Sequence, residues 1–190
     1  MDLMLDLETM GDGKDAAIVA IGAVYFDADG PKEKKFYRTV SLKTSMENGG
    51  TVSASTILWW LRQSKEASNE FVFAKESMED ALVEFEQFID NKNTCTVWGN
   101  GANFDNVILR ATYERWGNMP APWRWYNDRC YRTLKNMFPE ISPSEQANDK
   151  HNALSDAYWQ AEHASRIFKY VRDFPKVKTV VLDDNGEVAK

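Results

Sequence analysis

The spacing of hydrophobic and polar positions changes several times along the chain, and each change marks an element. Residues 2–7 form a short, apolar-rich run that reads as a strand. Residues 18–26 (IVAIGAVYF) are dense in β-branched and aromatic side chains and lead into the turn Asp29-Gly30-Pro31. Residues 35–42 read as a third strand, so this part of the chain predicts an antiparallel meander. From Ser53 the spacing turns helical: Ile57, Trp60 and Leu61 share a face, with Ser53 or Ser55 as N-cap. Residues 77–89 place Met78, Ala81, Leu82, Phe85, Phe88 and Ile89 on an apolar stripe. Ser77 is the expected N-cap there, with Asp80 at the third helical position.

Strand-like spacing returns at residues 94–98 and ends in Gly99-Asn100-Gly101. A helix follows over residues 104–116, with Val107, Ile108, Ala111 and Tyr113 on its apolar side and Gly117-Asn118 as its stop. Residues 120–125, with their prolines and tryptophans, predict a loop, followed by a short strand over 125–130 and a helix over 133–138. Residues 142–150 are polar and loop-like. A long helix over 153–171 turns Ala153, Ala157, Ala161, Ala164 and Phe168 inward. Residues 177–182 add one strand in the tail. The expectation is an α/β fold in one domain over residues 1–175, with 176–190 as a C-terminal tail. Three antiparallel strands are joined by later strands in a mixed sheet flanked by helices.

Composition narrows the setting. The 190 residues are 43% hydrophobic and 27% charged, values of an ordinary globular domain with enough apolar surface for a core. No apolar run is long enough to span a bilayer, and Asp2, Asp6 and Glu8 break up the N-terminal stretch, so the expected setting is cytoplasmic. Cys95 and Cys130 lie in strand-like segments outside any CxxC spacing and read as reduced, structural thiols. The net charge of −6 argues against a coat that grips nucleic acid through its own cations. It leaves room for an acidic chain that works on phosphates through bound divalent ions.

The candidate chemistry lies in four acids and a histidine. Asp6 and Glu8 are two apart on the first strand, so the pleat puts both on one face of the sheet. Neighbouring carboxylates repel unless a cation or a proton sits between them. A solvated strand end is the alternative. Asp105 follows a strand and opens a helix, and Asp156 sits near the start of the last long helix, five residues after His151. Each of these two is also explained as a first-turn acid favoured by the helix dipole.

Taken in order, the segments MLDLETM (4–10), WGNGANFDNVILR (98–110) and HNALSDA (151–157) resemble the DEDD exonucleases of the histidine branch, the DEDDh or DnaQ-like superfamily. With the strand pattern the resemblance covers about residues 1 to 172. Trp59-Trp60 and the Trp98-Gly99-Asn100-Gly101 run look more narrowly like phage and prophage exonucleases of the DexA-like and exonuclease VIII-like kind. The resemblance implies a ribonuclease-H-like sheet and two Mg²⁺ or Mn²⁺ ions held by Asp6, Glu8, Asp105 and Asp156. It also implies His151 as general base, and 3′→5′ hydrolysis that releases 5′-mononucleotides. Hard carboxylate oxygens suit those ions better than zinc, and imidazole accepts a proton near neutral pH.

Substrate contacts are expected at Thr9 and Met10, directly after the acid pair, and at Asn103 and Phe104, which precede Asp105. Thr9 and Met10 equally serve a strand-to-loop turn, and Phe104 equally serves the core. Adjacent helix residues point about 100° apart, so only one of Trp59 and Trp60 can face inward. Trp59 is the one expected outside, as a platform for stacking a base. The expected partner is single-stranded nucleic acid or a short oligonucleotide, DNA ahead of RNA, with no membrane. Exposed tryptophans and the tail are candidate homodimer contacts, and the phage-like motifs suggest a phage or bacterial source. Rival readings are an exoribonuclease of the same kind, a ribonuclease-H-like endonuclease using clustered acids, and a nucleic-acid-binding module without activity.

Overall fold

The computed structural model describes residues 1–101, 103–145 and 151–174. Its centre is a five-stranded sheet built from β1 (Asp2–Thr9), β2 (Ile18–Asp27), β3 (Gly30–Thr39), β4 (Thr96–Gly99) and β5 (Asp128–Cys130). The strand order is β3-β2-β1-β4-β5. β1, β2 and β3 pair antiparallel, whereas β1–β4 and β4–β5 are parallel. This is the mixed, ribonuclease-H-like α/β sheet that the sequence predicts.

Among the described residues seven helices accompany the strands: α1 (Leu42–Glu47), α2 (Ala54–Trp60), α3 (Lys65–Val72), α4 (Met78–Phe88), α5 (Asp105–Arg115), α6 (Tyr131–Met137) and α7 (Ala153–Asp173). Alternation along β1 separates the two faces. Leu3, Leu5 and Leu7 join the large core with Met78, Leu82 and Phe85 of α4 and Ile108, Leu109 and Tyr113 of α5. Met4 faces the other way, into a core with Tyr131 of α6 and Ala157, Ala161 and Ala164 of α7. Each fully buried large apolar side chain contributes roughly 1.5–3 kcal/mol, so these two layers carry most of the stability. β2 is buried along nearly its whole length because helices cover both of its faces.

Several expectations are corrected. The third strand begins at Gly30 and ends at Thr39, and the chain then turns into α1. α3 has no counterpart in the sequence pattern above. Ile57 and Leu61 do not share the buried side of α2: they are exposed, and only Trp60 reaches inward. The indole of Trp60 donates to the Thr9 carbonyl at 2.9 Å and stacks edge-on against Phe71 of α3, which fixes α2 and α3 to the end of β1. The buried side of α5 carries Asp105, Asn106 and Thr112 beside Ile108, Leu109 and Tyr113, while Val107 and Ala111 are half-buried. Residues 125–127 form a 3-10 turn rather than strand, and only Asp128–Cys130 pairs. The caps at Ser53 and Ser77 are as expected, each accepting from the backbone N–H three residues on. The anticipated tail strand, residues 177–182, lies outside the described residues. Among the described residues no helix is long and apolar enough to cross a membrane.

The first turn of α7 lies directly on β2 at Gly22. A Cβ there would come within 2.2 Å of the Ala153 carbonyl carbon and 2.3 Å of the Leu154 nitrogen, so only glycine permits the contact. Gly22→Ala should therefore cost at least about 2–3 kcal/mol in urea unfolding, since main chain must move to make room. Gly13→Ala, where nothing lies within 4 Å, should stay within about 0.5 kcal/mol of the parent.

Candidate metal centre

Three elements meet at the C-terminal end of β1. Asp6 and Glu8 leave β1 on the face that Met4 shares, toward α7. Asp6 pairs across the ladder with Gly22, the residue on which α7 rests. Asn152 caps α7 by accepting from the Ser155 N–H at 2.9 Å, and its amide donates to the Tyr37 hydroxyl of β3 at 3.1 Å. The cap and the glycine contact bring the first turn of α7 over β1. Asp6, Glu8 and Asp156 then each offer a carboxylate oxygen within 4.8 Å of the others.

Asp105 is handled differently. It is almost wholly buried, at 2% exposure. One of its oxygens accepts from the Leu7 N–H at 3.1 Å and the other from the Asn100 N–H at 2.9 Å. The β1–β4 ladder stops at Met4 and Trp98, so this carboxylate takes up backbone donors just beyond the end of the pairing. Gly99 makes that possible: a Cβ there would meet an Asp105 oxygen at 3.0 Å and the Asn106 oxygen at 2.6 Å. Asp105 thus stands beside the trio without belonging to it, although each carboxylate oxygen retains a second lone pair.

Burial pushes the Asp6 carboxyl well above the ordinary carboxylate range, and the charges of Asp105, Glu8 and Asp156 push the same way. The side-chain amide of Gln160, donating to Asp6 Oδ1 at 2.7 Å, pulls it back. Burial also raises Asp105, to about 6, against the downward pull of its backbone donors and of the Arg132 guanidinium. Oxygen-only donors at such spacing fit a hard divalent cation such as Mg²⁺ or Mn²⁺.

His151 has a left-handed backbone, φ 69°, and its N–H donates to Asp156 Oδ2 at 3.3 Å. Its ring lies edge-on to Trp59, with centroids 4.7 Å apart, and more distantly to Trp60 at 6.2 Å. The imidazole is therefore at the edge of the centre, held between α2 and α7. Trp59 is 39% exposed, whereas Trp60 is buried, as the opposed directions of the pair require. Thr9 is buried, and its hydroxyl donates to the Gly11 carbonyl at 2.7 Å. Met10 is half-buried beside Trp60, Asn103 is exposed, and half-buried Phe104 packs against the large core.

Sequence reasoning missed Gln160. It sits one turn beyond Asp156, at 3% exposure, within the alanine-lined inner side of α7. A long polar residue interrupting an apolar stripe was the available signal. His163, one turn further, is also buried. Its ring meets the Tyr131 hydroxyl at 2.7 Å and the Ile141 carbonyl at 2.6 Å, which ties α7 to α6 and the loop that follows.

The ribonuclease-H-like fold and the acid cluster, taken with the family match, place the chain in the DEDDh, DnaQ-like exonuclease superfamily. Residues 1–168 match the 3′-5′ exoribonuclease Rv2179c-like domain, and the chain belongs to that family. A curated relative, an exodeoxyribonuclease of Enterobacteria phage T4, is 30% identical over 122 residues. That stretch covers 57% of this chain and 53% of the relative, so the match spans about half the length of each. Exonuclease I of E. coli, solved with a dT13 oligonucleotide, superposes with a TM-score of 0.66 at 16% identity over 91% of this chain and 42% of that one. The nuclease domain of 3′hExo, a DEDDh family member bound to rAMP, gives 0.56 at 12% identity, covering 93% of this chain and 94% of that one. Exonuclease X, solved with 5′-overhanging duplex DNA, gives 0.57 at 16%, covering 91% and 93%. At these identities the solved structures share the fold.

The raised carboxyls have a measurable sign. Asp105 binds its proton more tightly folded than unfolded, so the native state holds more protons between about pH 4 and 6. The stability this confers is present at low pH and is lost as pH rises through about 6. In EDTA, wild type should therefore lose on the order of 2–3 kcal/mol relative to Asp105→Asn between pH 4 and 7, read from urea midpoints. Because Asp6 and Asp105 interact, the effect belongs to the pair.

Proposed function

We propose that this chain is a two-metal-ion 3′→5′ exonuclease that releases 5′-mononucleotides from single-stranded nucleic acid, DNA ahead of RNA. The observation that carries the reading is the convergence of Asp6, Glu8 and Asp156 to within 4.8 Å beside buried Asp105. Membership of a 3′-5′ exonuclease family supports the direction of attack.

Asp6, Glu8 and Asp156 would hold the two Mg²⁺ or Mn²⁺ ions, with Asp105 completing the set through its remaining lone pairs. Bound there, the ions supply positive charge for the phosphodiester and lower the pKa of water. The chain's own groups do the rest. His151 takes the proton of the attacking water on a ring nitrogen, moving off the edge of Trp59 to do so. Its loop position, one residue ahead of the Asn152 cap, leaves the ring free of the helix proper. Trp59 offers an exposed face for the terminal base, worth roughly 1–3 kcal/mol per stacked base. Asn103 presents its amide from the turn before α5, while Phe104 backs that turn from the core. Thr9 and Met10 shape the floor after Glu8. With its hydroxyl committed to Gly11, Thr9 contributes mainly main chain. Residues 1–175 act as one nuclease domain.

The phage T4 relative, an exodeoxyribonuclease, supports DNA and a place in the phage-type branch. A second reading, an exoribonuclease using the same centre, is supported by the family's description. The acids act on the phosphodiester and not on the sugar, so both readings share one chemistry.

Incubating 5′-labelled single strands of DNA and RNA with the protein and Mg²⁺, Mn²⁺ or EDTA tests the reading. A metal-dependent ladder shortening from the 3′ end is expected, faster on DNA, and reduced at least about 10³-fold by Asp6→Ala. No shortening of either strand with either metal would sink it, and faster loss of RNA would move it to the second reading. The acidic surface further predicts distributive action, so an unlabelled trap strand should stop the ladder after a few nucleotides.

A further inference from the structure

Resting on the metal-centre reading above, we propose that Gln160 is a positioning residue for the Asp6 carboxylate. Its amide would fix that ligand's orientation before a cation arrives.

Three observations meet at this side chain. Gln160 Nε2 donates to Asp6 Oδ1 at 2.7 Å, across the gap between α7 and β1. The residue is 3% exposed, on the side of α7 that packs Ala157, Ala161 and Ala164 against the sheet. Its Oε1 is buried with no hydrogen-bond partner among the described residues. A buried carbonyl left unpaired is costly, and an apolar residue of the same size would fill the space without that cost. What glutamine supplies that leucine or methionine lacks is the N–H aimed at Asp6.

The geometry makes the arrangement economical. Asp156 and Gln160 are one helical turn apart, so a single rigid helix carries one carboxylate and orients another. Gly22, across from Asp6 in the ladder, sets the height of that helix above β1. A donor fixed at one oxygen biases the carboxylate toward one rotamer, and its remaining lone pairs stay available to a cation. Partners that orient a ligand in this way typically matter about 10–100-fold in metal affinity.

The test is Mn²⁺ binding to the full chain without substrate, followed by electron paramagnetic resonance, together with urea unfolding in EDTA. Gln160→Met and Gln160→Leu both keep the volume and remove the donor. Each should unfold in EDTA at a urea concentration equal to or above wild type, while Mn²⁺ affinity falls about 10-fold or more. At saturating Mn²⁺, kcat should fall while KM for the strand holds. Unchanged Mn²⁺ affinity in folded variants would overturn the proposal. So would failure of both variants to fold in EDTA, which would make Gln160 a packing residue. If wild type itself takes up no Mn²⁺, the metal-centre reading fails and this proposal falls with it. A wild type that binds beside variants that bind equally well defeats this proposal alone.

Discussion

The arrangement depends on one contact: the backbone of α7 resting on the backbone of β2 at Gly22. Helices usually stand off a sheet by the depth of their side chains. Here the first turn comes down to main-chain contact, because Gly22 has no Cβ and α7 presents alanines. That height decides what the following turns can reach. Asp156 is delivered to the two acids of β1, and the next turn reaches Asp6 with an amide. A larger residue at Gly22 would lift all of these groups together, which is why a residue with no chemistry of its own governs the centre.

A second close approach, at Gly99, serves the opposite aim. It lets Asp105 fold back onto the end of the β1–β4 ladder and accept backbone donors from Leu7 of β1 and from Asn100, just past β4. The sheet therefore ends in a carboxylate instead of in further pairing. Asp105 repels Asp6 as it stabilises the strands, so fold and charge are set against each other in one side chain. Trp60 closes the third side, holding α2 to the Thr9 carbonyl and leaving Trp59 against His151.

The sheet and the long helices were legible because their burial is periodic and local. The alanines of α7 and the dense apolar run of β2 allow few other readings. α1 and α3 were not legible because their stability comes from elsewhere. α1 has six residues and no side-chain cap, and Thr44 reaches across to accept from the Met78 N–H of α4. α3 is held largely through Phe71 on Trp60. Ile57 and Leu61 misled because helical spacing defines a side without saying how much of it is covered. In the centre, the order of the acids along the chain was readable, but carboxylate direction was not. Spacing put Asp105 at the opening of a helix after a strand, where it stands, and could not show that both its oxygens face backbone donors. Gln160 escaped notice because glutamine in a helix is ordinarily a surface residue.

The crowding of acids at the end of β1 also bears on how such a chain can change over time. Like charges kept together in a partly dry place weaken the fold that holds them, so neutral replacements at these positions are among the easiest routes to a hardier molecule. Mutational drift without selection on chemistry would erode the centre first and leave the sheet and α7 standing. Laboratory selection for heat resistance alone would run the same way, enriching variants that have shed these acids and kept the parent's outline. Stability and the gathering of like charge are opposed at these few side chains, and elsewhere in the molecule no such conflict arises.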